Sequence, residues 1–128
     1  MVVGAARSGI AAAELAARRG ARVMLTEARD GCDGEDRLKA AGVEIELGGH
    51  RPETLARADL IVVSPGVPLD QRVFDAARTR DVEIIGELEF AWRWIAGRVI
   101  ALTGTKGKST TTRLVGRMLD AAGRKVMV

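Results

Sequence analysis

The clearest capacity for chemistry lies in a glycine-rich turn, Thr-Gly-Thr-Lys-Gly-Lys-Ser-Thr, which runs from Thr103 to Thr110 between an apolar run and a predicted helix. In that setting the backbone amides of the turn bind phosphates, a lysine neutralises their charge, and the hydroxyl next to it holds Mg²⁺. Lys108 and Ser109 are the residue types that the last two roles need. The general P-loop formula has a glycine where Leu102 stands, so the turn is a variant whose first glycine lies nearer to the lysine. We predict that it binds nucleotide phosphates.

A second glycine turn, Gly-Ala-Ala-Arg-Ser-Gly, runs from Gly4 to Gly9. It follows a short predicted strand and opens a helix, where the amides of a tight turn point at a diphosphate and the helix dipole favours negative charge. Ala6 replaces the middle glycine of the usual dinucleotide pattern, and its methyl group limits the approach of a pyrophosphate. Glu27 ends the second predicted strand, where an acid can accept hydrogen bonds from a ribose. NAD therefore remains an alternative ligand at this turn.

A Ser-Pro-Gly-Val-Pro loop, from Ser64 to Pro68, follows the fourth predicted strand. The carboxyl end of that strand lies at the same sheet edge as the first glycine turn, and ligands bind at this edge in open α/β sheets. The two prolines make the loop rigid, Gly66 allows close approach of the backbone, and Ser64 offers a hydroxyl to a phosphate or sugar. We expect the loop to line the same pocket as the turn.

These loops need a scaffold, and the rest of the sequence predicts an α/β fold. Short runs rich in Val, Ile and Leu alternate with helical segments, which is typical of parallel βα units. The predicted strands cover residues 2–4, 22–26, 43–47, 60–63, 82–85 and 99–102. The predicted helices cover residues 8–19, followed by Gly20 as a C-cap, then 70–80 and 87–95, and a last helix that follows the second glycine turn and extends to about residue 122.

The helix over residues 87–95 has apolar residues at helical spacing, and the pattern restarts after it. Leu88, Ala91, Trp92 and Ile95 are spaced i, i+3, i+4, i+7, so we predict that they form its buried face. We place a domain boundary between residues 96 and 97. Residues 97–128 then form the opening βαβ unit of a second domain, with the apolar run 126–128 as its second strand.

Composition limits the class of protein. No apolar run approaches the roughly 20 residues of a membrane span, and the chain opens without an export signal, so we expect a cytoplasmic protein and no membrane partner. The single cysteine, Cys32, cannot form an internal disulfide, which fits a reducing compartment. The net charge is +3 and aromatic residues make up 3% of the chain. Without clustered basic residues and stacking aromatics, we expect no nucleic-acid partner.

The chain has two phosphate-binding turns with a Ser-Pro-Gly loop between them. In this combination it resembles the Mur ligases, the ATP-dependent enzymes that extend the peptidoglycan precursor. The resemblance covers the whole chain, including the Gly86-Glu87-Leu88-Glu89 stretch, and is closest to the branch that adds D-glutamate to UDP-N-acetylmuramoyl-L-alanine. It implies a Rossmann-like parallel sheet domain over residues 1–96 that holds the UDP part of the substrate. It also implies that residues 97–128 begin a P-loop ATPase domain.

The resemblance also implies roles for particular residues. Ala6, Arg7, Ser8 and Gly9 would line the diphosphate, Thr26 and Glu27 the uridine, and Ser64, Pro65 and Gly66 the other side of the pocket. ATP and Mg²⁺ would bind at Gly104, Thr105, Lys106, Gly107, Lys108, Ser109 and Thr110, with Lys108 as the catalytic group and Ser109 as a metal ligand. The family commonly has Asn where this chain has Lys106. The reaction would pass through an acyl phosphate that the amine attacks, and we expect the full-length enzyme to be a monomer.

Other functions remain open at this point. An NAD(P)-dependent oxidoreductase domain is favoured by Glu27 and disfavoured by Ala6 and by a P-loop in the same chain. A Mur ligase that adds a different amino acid, a P-loop kinase or other NTPase, and a non-enzymatic nucleotide-binding module are further alternatives. We expect the 128-residue chain alone to bind nucleotide without catalysis.

Overall fold

The computed structural model describes all of residues 1–128. The chain divides into two compact units, Met1–Ile95 and Ala96–Val128. Each unit is described by itself below. Their assignment as a UDP-substrate domain and the start of an ATP-binding domain stays a prediction.

The first unit is built on one parallel sheet. Its strands are β1 (Val2–Val3), β2 (Met24–Thr26), β3 (Glu44–Glu46), β4 (Leu60–Val63) and β5 (Glu83–Gly86). Their order across the sheet is β3-β2-β1-β4-β5, and every neighbouring pair is parallel. The α/β class and the Rossmann-like sheet are thus confirmed, and each strand lies where the apolar runs of residues 1–96 predict one.

Helices connect the strands, and a last helix forms the second unit. The α-helices are α1 (Arg7–Arg18), α2 (Glu35–Ala40), α3 (Pro52–Leu55), α4 (Asp75–Thr79), α5 (Glu87–Trp92) and α6 (Lys108–Ala121). A 3₁₀ turn, Arg72–Phe74, leads into α4, so the predicted helix over residues 70–80 is split in two. None of the helices is both long enough and apolar enough to cross a membrane.

Hydrophobic cores form on both faces of the sheet because successive strand residues point to opposite sides. Val2 and Val62 face a core that includes Ile10 and Ala13 of α1 and Leu38 of α2. Their neighbours in the strands face a second core on the other side of the sheet, formed by Val3, Leu55, Ile61, Val63, Phe74 and Ala77. Both faces of β1 and β4 are therefore covered, as expected for central strands of a parallel sheet.

Helix α1 places the first glycine turn at the sheet edge. It is rich in alanine, and its Gly9, Ile10, Ala12 and Ala13 are buried against the sheet. The helix ends as predicted, with Gly20 in the left-handed region at φ +85°. The Gly20 amide donates to the Ala17 carbonyl at 2.9 Å, which satisfies a carbonyl in the last turn.

The predicted apolar face of α5 is wrong. Leu88, Ala91, Trp92 and Ile95 are all exposed, and Leu88 retains 84% of its accessible surface. The helix instead buries Phe90, which joins the core shared with α1. The physical reason is that α5 starts directly after β5 and is only six residues long. The direction in which the chain leaves the sheet therefore decides which side of the helix faces the core.

The second unit contains helix α6 but no strand. The predicted strands at residues 99–102 and 126–128 are not formed, so the expectation of an opening βαβ unit is corrected to a glycine turn followed by a helix. A strand is held by hydrogen bonds to a neighbouring strand, and neither run has such a neighbour in this chain. The last run packs on the helix instead. The close packing is visible at Gly116, where an added Cβ would lie 2.4 Å from Val128 Cγ2.

Hydrogen exchange should show Ala96–Val128 opening before the sheet of the first unit. Gly116 is the only buried residue of the second unit, whereas β1 and β4 are buried on both faces, and segments with few buried contacts open at low free energy. We expect the amides of α6 to exchange at least about tenfold faster than those of β4. Equal protection of α6 and β4, measured by NMR in the same sample, would contradict this.

Candidate functional site

The carboxyl ends of β1 and β4 form the candidate site. These strands are neighbours, with β2 and β3 continuing the sheet beyond β1 and β5 beyond β4. The order of the strands therefore reverses between β1 and β4, and open α/β sheets bind ligands at such a point. Gly4 follows β1 and Ser64 follows β4, so the first glycine turn and the Ser-Pro-Gly loop lie side by side as predicted.

The peptide group between Gly4 and Ala5 has side-chain partners at both of its polar ends. The Ala5 N–H donates to Glu27 Oε2 at 2.7 Å, and Ser64 Oγ lies 3.2 Å from the Gly4 carbonyl oxygen. The preceding amide, Gly4 N–H, donates to the Thr26 carbonyl at 2.8 Å and continues the β1–β2 ladder. Gly4 itself has a φ of +99°, which glycine adopts without strain. The first step of the turn is therefore held from both neighbouring strands.

Gly9 is required by close packing. A Cβ built on it would lie 2.1 Å from the Gly4 carbonyl oxygen and 2.7 Å from Ser64 Oγ. Both distances are shorter than any real Cβ contact, so the first turn of α1 can pack against the β1 end only with glycine there. This glycine is explained by the fold even without a ligand.

Glu27 is a buried carboxylate with internal partners. Only 8% of the residue is exposed. Besides Ala5, its carboxylate accepts hydrogen bonds from the Arg29 amide and from Arg29 Nε, both at 3.1 Å. Burial by itself would raise the pKa of Glu27, but these hydrogen bonds and the Arg29 charge outweigh it and lower the pKa from its ordinary 4.5 to about 2. The side chain is therefore ionised at neutral pH.

Glu27 should make the first unit sensitive to acid. Its folded pKa lies below its unfolded pKa, so its stabilisation is present in full above about pH 4.5 and is lost as the pH falls towards 2. The shift corresponds to about 3 kcal/mol at most. In urea unfolding, we expect the Glu27→Gln variant to be nearly as stable as the unsubstituted chain at pH 2.5 and clearly less stable than it at pH 7. A stability difference that is the same at both pH values would contradict the assignment.

Thr26 lies beneath the loop that follows β3. It is 1% exposed, and its hydroxyl lies 3.0 Å from the Gly49 carbonyl oxygen and 2.9 Å from His50 Nδ1. Burial lowers the pKa of His50. The hydroxyl of Thr26 is thus engaged with the 49–50 loop, a contact that the sequence pattern does not reveal.

Ser64 is also buried, and it has a partner that the sequence analysis missed. It is 3% exposed, and its hydroxyl lies within hydrogen-bonding distance of a Glu87 carboxylate oxygen as well as the Gly4 carbonyl. The loop beyond it forms a turn closed by the Val67 amide, which donates to the Ser64 carbonyl at 2.9 Å. The Glu87 contact ties the start of α5 to the loop, and the short Gly86-Glu87 link after β5 was the only signal for it.

The exposed rim of the site consists of residues with free polar groups. Ala6, Arg7 and Ser8 are exposed at the start of α1, and Pro65 and Gly66 are exposed in the neighbouring loop. The amides in the first turn of a helix have no partner within the helix, so those of α1 are free to bind an anion. Next to them is a cleft of about 330 Å³ lined by Arg7, Ile10, Asp33, Gly34 and Arg37. Arg7 brings a positive charge to this cleft, whereas Arg37, which was not predicted from the sequence, is paired with Glu14, and Asp33 adds a negative charge.

The second glycine turn lies in the second unit and is exposed throughout. Gly104 and Gly107 have φ values of +156° and +76°, and the turn leads directly into the 14-residue helix α6. Lys108 Nζ donates to the Gly104 carbonyl at 2.7 Å, so its ammonium group is held at the turn itself. The two glycines allow a tight turn, the start of the helix has free amides, and the lysine adds a positive charge. Together these features fit the phosphates of a nucleotide.

Comparisons with known proteins show the family of this chain. Residues 1–86 match the family described as Mur ligase MurD-like, N-terminal domain. The chain is 39% identical to a UDP-N-acetylmuramoylalanine–D-glutamate ligase of Koribacter versatilis, over 100% of this chain and 29% of that protein. It is 49% identical to the enzyme of the same name from Anaeromyxobacter dehalogenans, over 92% of this chain and 26% of that protein. The chain thus spans less than a third of the length of these relatives.

Solved structures show the same fold. A murein peptide ligase from Psychrobacter arcticus superposes with a TM-score of 0.68 at 28% identity, covering 95% of this chain and 26% of that one. A pseudomurein peptide ligase type C from Methanothermus fervidus superposes with a TM-score of 0.60 at 24% identity, again over 95% of this chain and 26% of that one. At that identity the second similarity concerns the fold alone.

Proposed function

The chain belongs to the MurD-like Mur ligases through its N-terminal domain, and we propose that it is the substrate- and nucleotide-binding part of such a ligase. The full-length enzyme would add D-glutamate to UDP-N-acetylmuramoyl-L-alanine in the cytoplasm, at the expense of ATP. The observation that carries this proposal is the glycine turn held at the reversal point of the sheet, with free amides and the exposed Arg7 at the start of α1.

Within this proposal the first unit binds the UDP group. The free amides of Ala6, Arg7 and Ser8 would contact the diphosphate, and Pro65 and Gly66 would line the opposite side of the pocket. Gly9 supports the turn by its close packing. Thr26, Glu27 and Ser64 would form the floor of the pocket, since their side chains are buried.

The second unit would bind ATP and Mg²⁺ through residues 104–110. Lys108 would neutralise charge on the phosphates and Ser109 would contribute a hydroxyl to the metal ion. ATP supplies the phosphoryl group that activates the carboxylate of the precursor for attack by an amine. Positioning and charge stabilisation dominate such transfers. Because the chain spans less than a third of its relatives, we expect it to bind both nucleotides without turnover.

The test of the first site is a titration with UDP followed by NMR. We expect the amide signals of Arg7, Ser8 and Gly9 to shift and saturate, because their N–H groups face the diphosphate. NADH at the same concentrations tests the dinucleotide alternative, and shifts of these signals by NADH as strong as those by UDP would mean that the turn does not select the UDP group. If the saturable shifts caused by UDP are confined to the amide signals of residues 104–110, and those of Ser8 and Gly9 stay unchanged, the pocket assignment is contradicted.

A further inference from the structure

The Gly4–Ala5 peptide is the step of the first glycine turn that most needs external support. Gly4 lacks a side chain and lies in the left-handed region at φ +99°, so its own conformational preference does little to fix the peptide that follows. The amides proposed to bind the diphosphate come directly after this peptide. A rotation of the Gly4–Ala5 plane that is not compensated at Ala5 would therefore redirect all of them.

Two side chains from the neighbouring strand ends prevent such a rotation. Glu27, after β2, accepts the Ala5 N–H at 2.7 Å, and Ser64, after β4, lies 3.2 Å from the Gly4 carbonyl oxygen on the opposite end of the same peptide. Reversing the peptide would bring its carbonyl oxygen against a buried carboxylate, which is unfavourable because both are acceptors. The hydroxyl of Ser64 has one proton and a second acceptor in Glu87. The bond from Glu27 to the Ala5 N–H, at 2.7 Å, is therefore the stronger of the two that hold this peptide as a clamp.

The carboxylate of Glu27 has little capacity left for a ligand. Oε2 accepts from the Ala5 N–H and, at 3.5 Å, from Arg29 Nη2, and Oε1 receives two hydrogen bonds from Arg29. An acid at the end of the second strand binds ribose hydroxyls in dinucleotide-binding domains. Here the same position faces inwards, and the residue is 8% exposed.

We propose that Glu27 is a positioning residue, which acts with Ser64 on the Gly4–Ala5 peptide to direct the amides of the turn at the diphosphate and which does not itself contact the nucleoside. The inference rests on the proposed binding of UDP at this turn. It assigns to Glu27 a role in recognising phosphate. A contact with the uridine, by contrast, would make it a residue that recognises the base or sugar.

The test compares UDP with inorganic pyrophosphate in the 128-residue chain and in its Glu27→Gln variant. Dissociation constants are read from the Ser8 amide signal, which separates this site from the second glycine turn. We expect Glu27→Gln to weaken both ligands by the same factor, about tenfold, because a neutral amide oxygen holds the Ala5 N–H less strongly than the carboxylate does and the phosphate-binding amides follow that peptide. Weakening of UDP with unchanged pyrophosphate would overturn the proposal, since Glu27 would then act on the nucleoside.

Two further variants test this interpretation. Glu83→Gln removes an exposed carboxylate that pairs with Arg93 at the opposite end of β5, and it should change neither dissociation constant. Ser64→Ala removes the other half of the clamp. Its effect on UDP affinity should be less than additive with that of Glu27→Gln, because both act on one peptide. Strictly additive losses would contradict a shared peptide, and if Glu27→Gln fails to fold, Ser64→Ala alone must weaken UDP and pyrophosphate equally.

The clamp is also measurable without a ligand. In the ligand-free chain the Ala5 amide should be protected from exchange, and Glu27→Gln should lower that protection and shift the Ala5 signal because its neutral oxygen is the weaker acceptor, whereas Glu83→Gln should do neither. If UDP does not bind to the unsubstituted chain, the proposed function fails while this measurement still decides the clamp. An Ala5 amide that is unchanged in Glu27→Gln would overturn the clamp itself.

Discussion

Gly9→Ala should unfold or severely destabilise the first unit, with a loss of about 3 kcal/mol or more in the free energy of unfolding. The added Cβ would lie 2.1 Å from the Gly4 carbonyl oxygen and 2.7 Å from Ser64 Oγ. The Gly4 carbonyl cannot move aside cheaply, because its peptide is held by Glu27 on the other end. Relief therefore requires α1 to separate from β1, where Ile10 and Ala13 of the helix are buried.

Urea unfolding followed by circular dichroism measures this loss. Gly31→Ala is the matched control, since no atom lies within 4 Å of a Cβ at that position and its φ is not in the left-handed region. The control should stay within about 0.5 kcal/mol of the unsubstituted chain. A Gly9→Ala protein as stable as Gly31→Ala would mean that the turn and α1 are not packed as described.

Loss of UDP binding in a Gly9 variant would report unfolding and would not identify a ligand contact. Arg7→Ala is a better probe of binding, because Arg7 is exposed at the start of α1 and lines the cleft of about 330 Å³.

Lys108→Ala, placed in a full-length ligase that carries this segment, should lower turnover by at least about 100-fold with little change in folding. Lys108 is exposed, and the only hydrogen bond of its side chain is to the Gly104 carbonyl, so the side chain contributes little to a core. Its charge would instead stabilise the transferring phosphoryl group, where most of the catalysis of such reactions resides.

Phosphate release in the presence of the UDP-linked precursor, ATP and D-glutamate measures this effect. Lys125→Ala is the control, because it removes an exposed lysine of the same unit that lies outside the glycine turn. It should retain normal turnover. Normal turnover in Lys108→Ala would remove Lys108 from the mechanism, and an equal loss in both variants would point to a general effect of charge.

The placement of the first site could be predicted from local sequence. Gly4, Gly9 and Ser64 follow buried strands, and parallel strands carry their carboxyl ends to one edge, so motif and periodicity together predicted that the glycine turn and the Ser-Pro-Gly loop lie side by side. The direction of the side chains could not be predicted in this way. Glu27 and Ser64 have the residue types of ligand contacts, yet both turn inwards, because the Gly4–Ala5 peptide between β2 and β4 offers them a buried N–H and a buried carbonyl.

By itself, the sequence determined the α/β class, the strands of the first unit, the end of α1 at Gly20 and the two glycine turns, because these depend on residue periodicity and on the backbone freedom of glycine. Only the tertiary structure decided that α5 buries Phe90 and leaves Leu88 and Trp92 exposed, and that residues 99–102 form no strand. The physical reason is the same in both cases. An apolar run becomes a buried face or a strand only where a neighbouring element receives it, and that neighbour is supplied by contacts between distant parts of the chain, which no local pattern records.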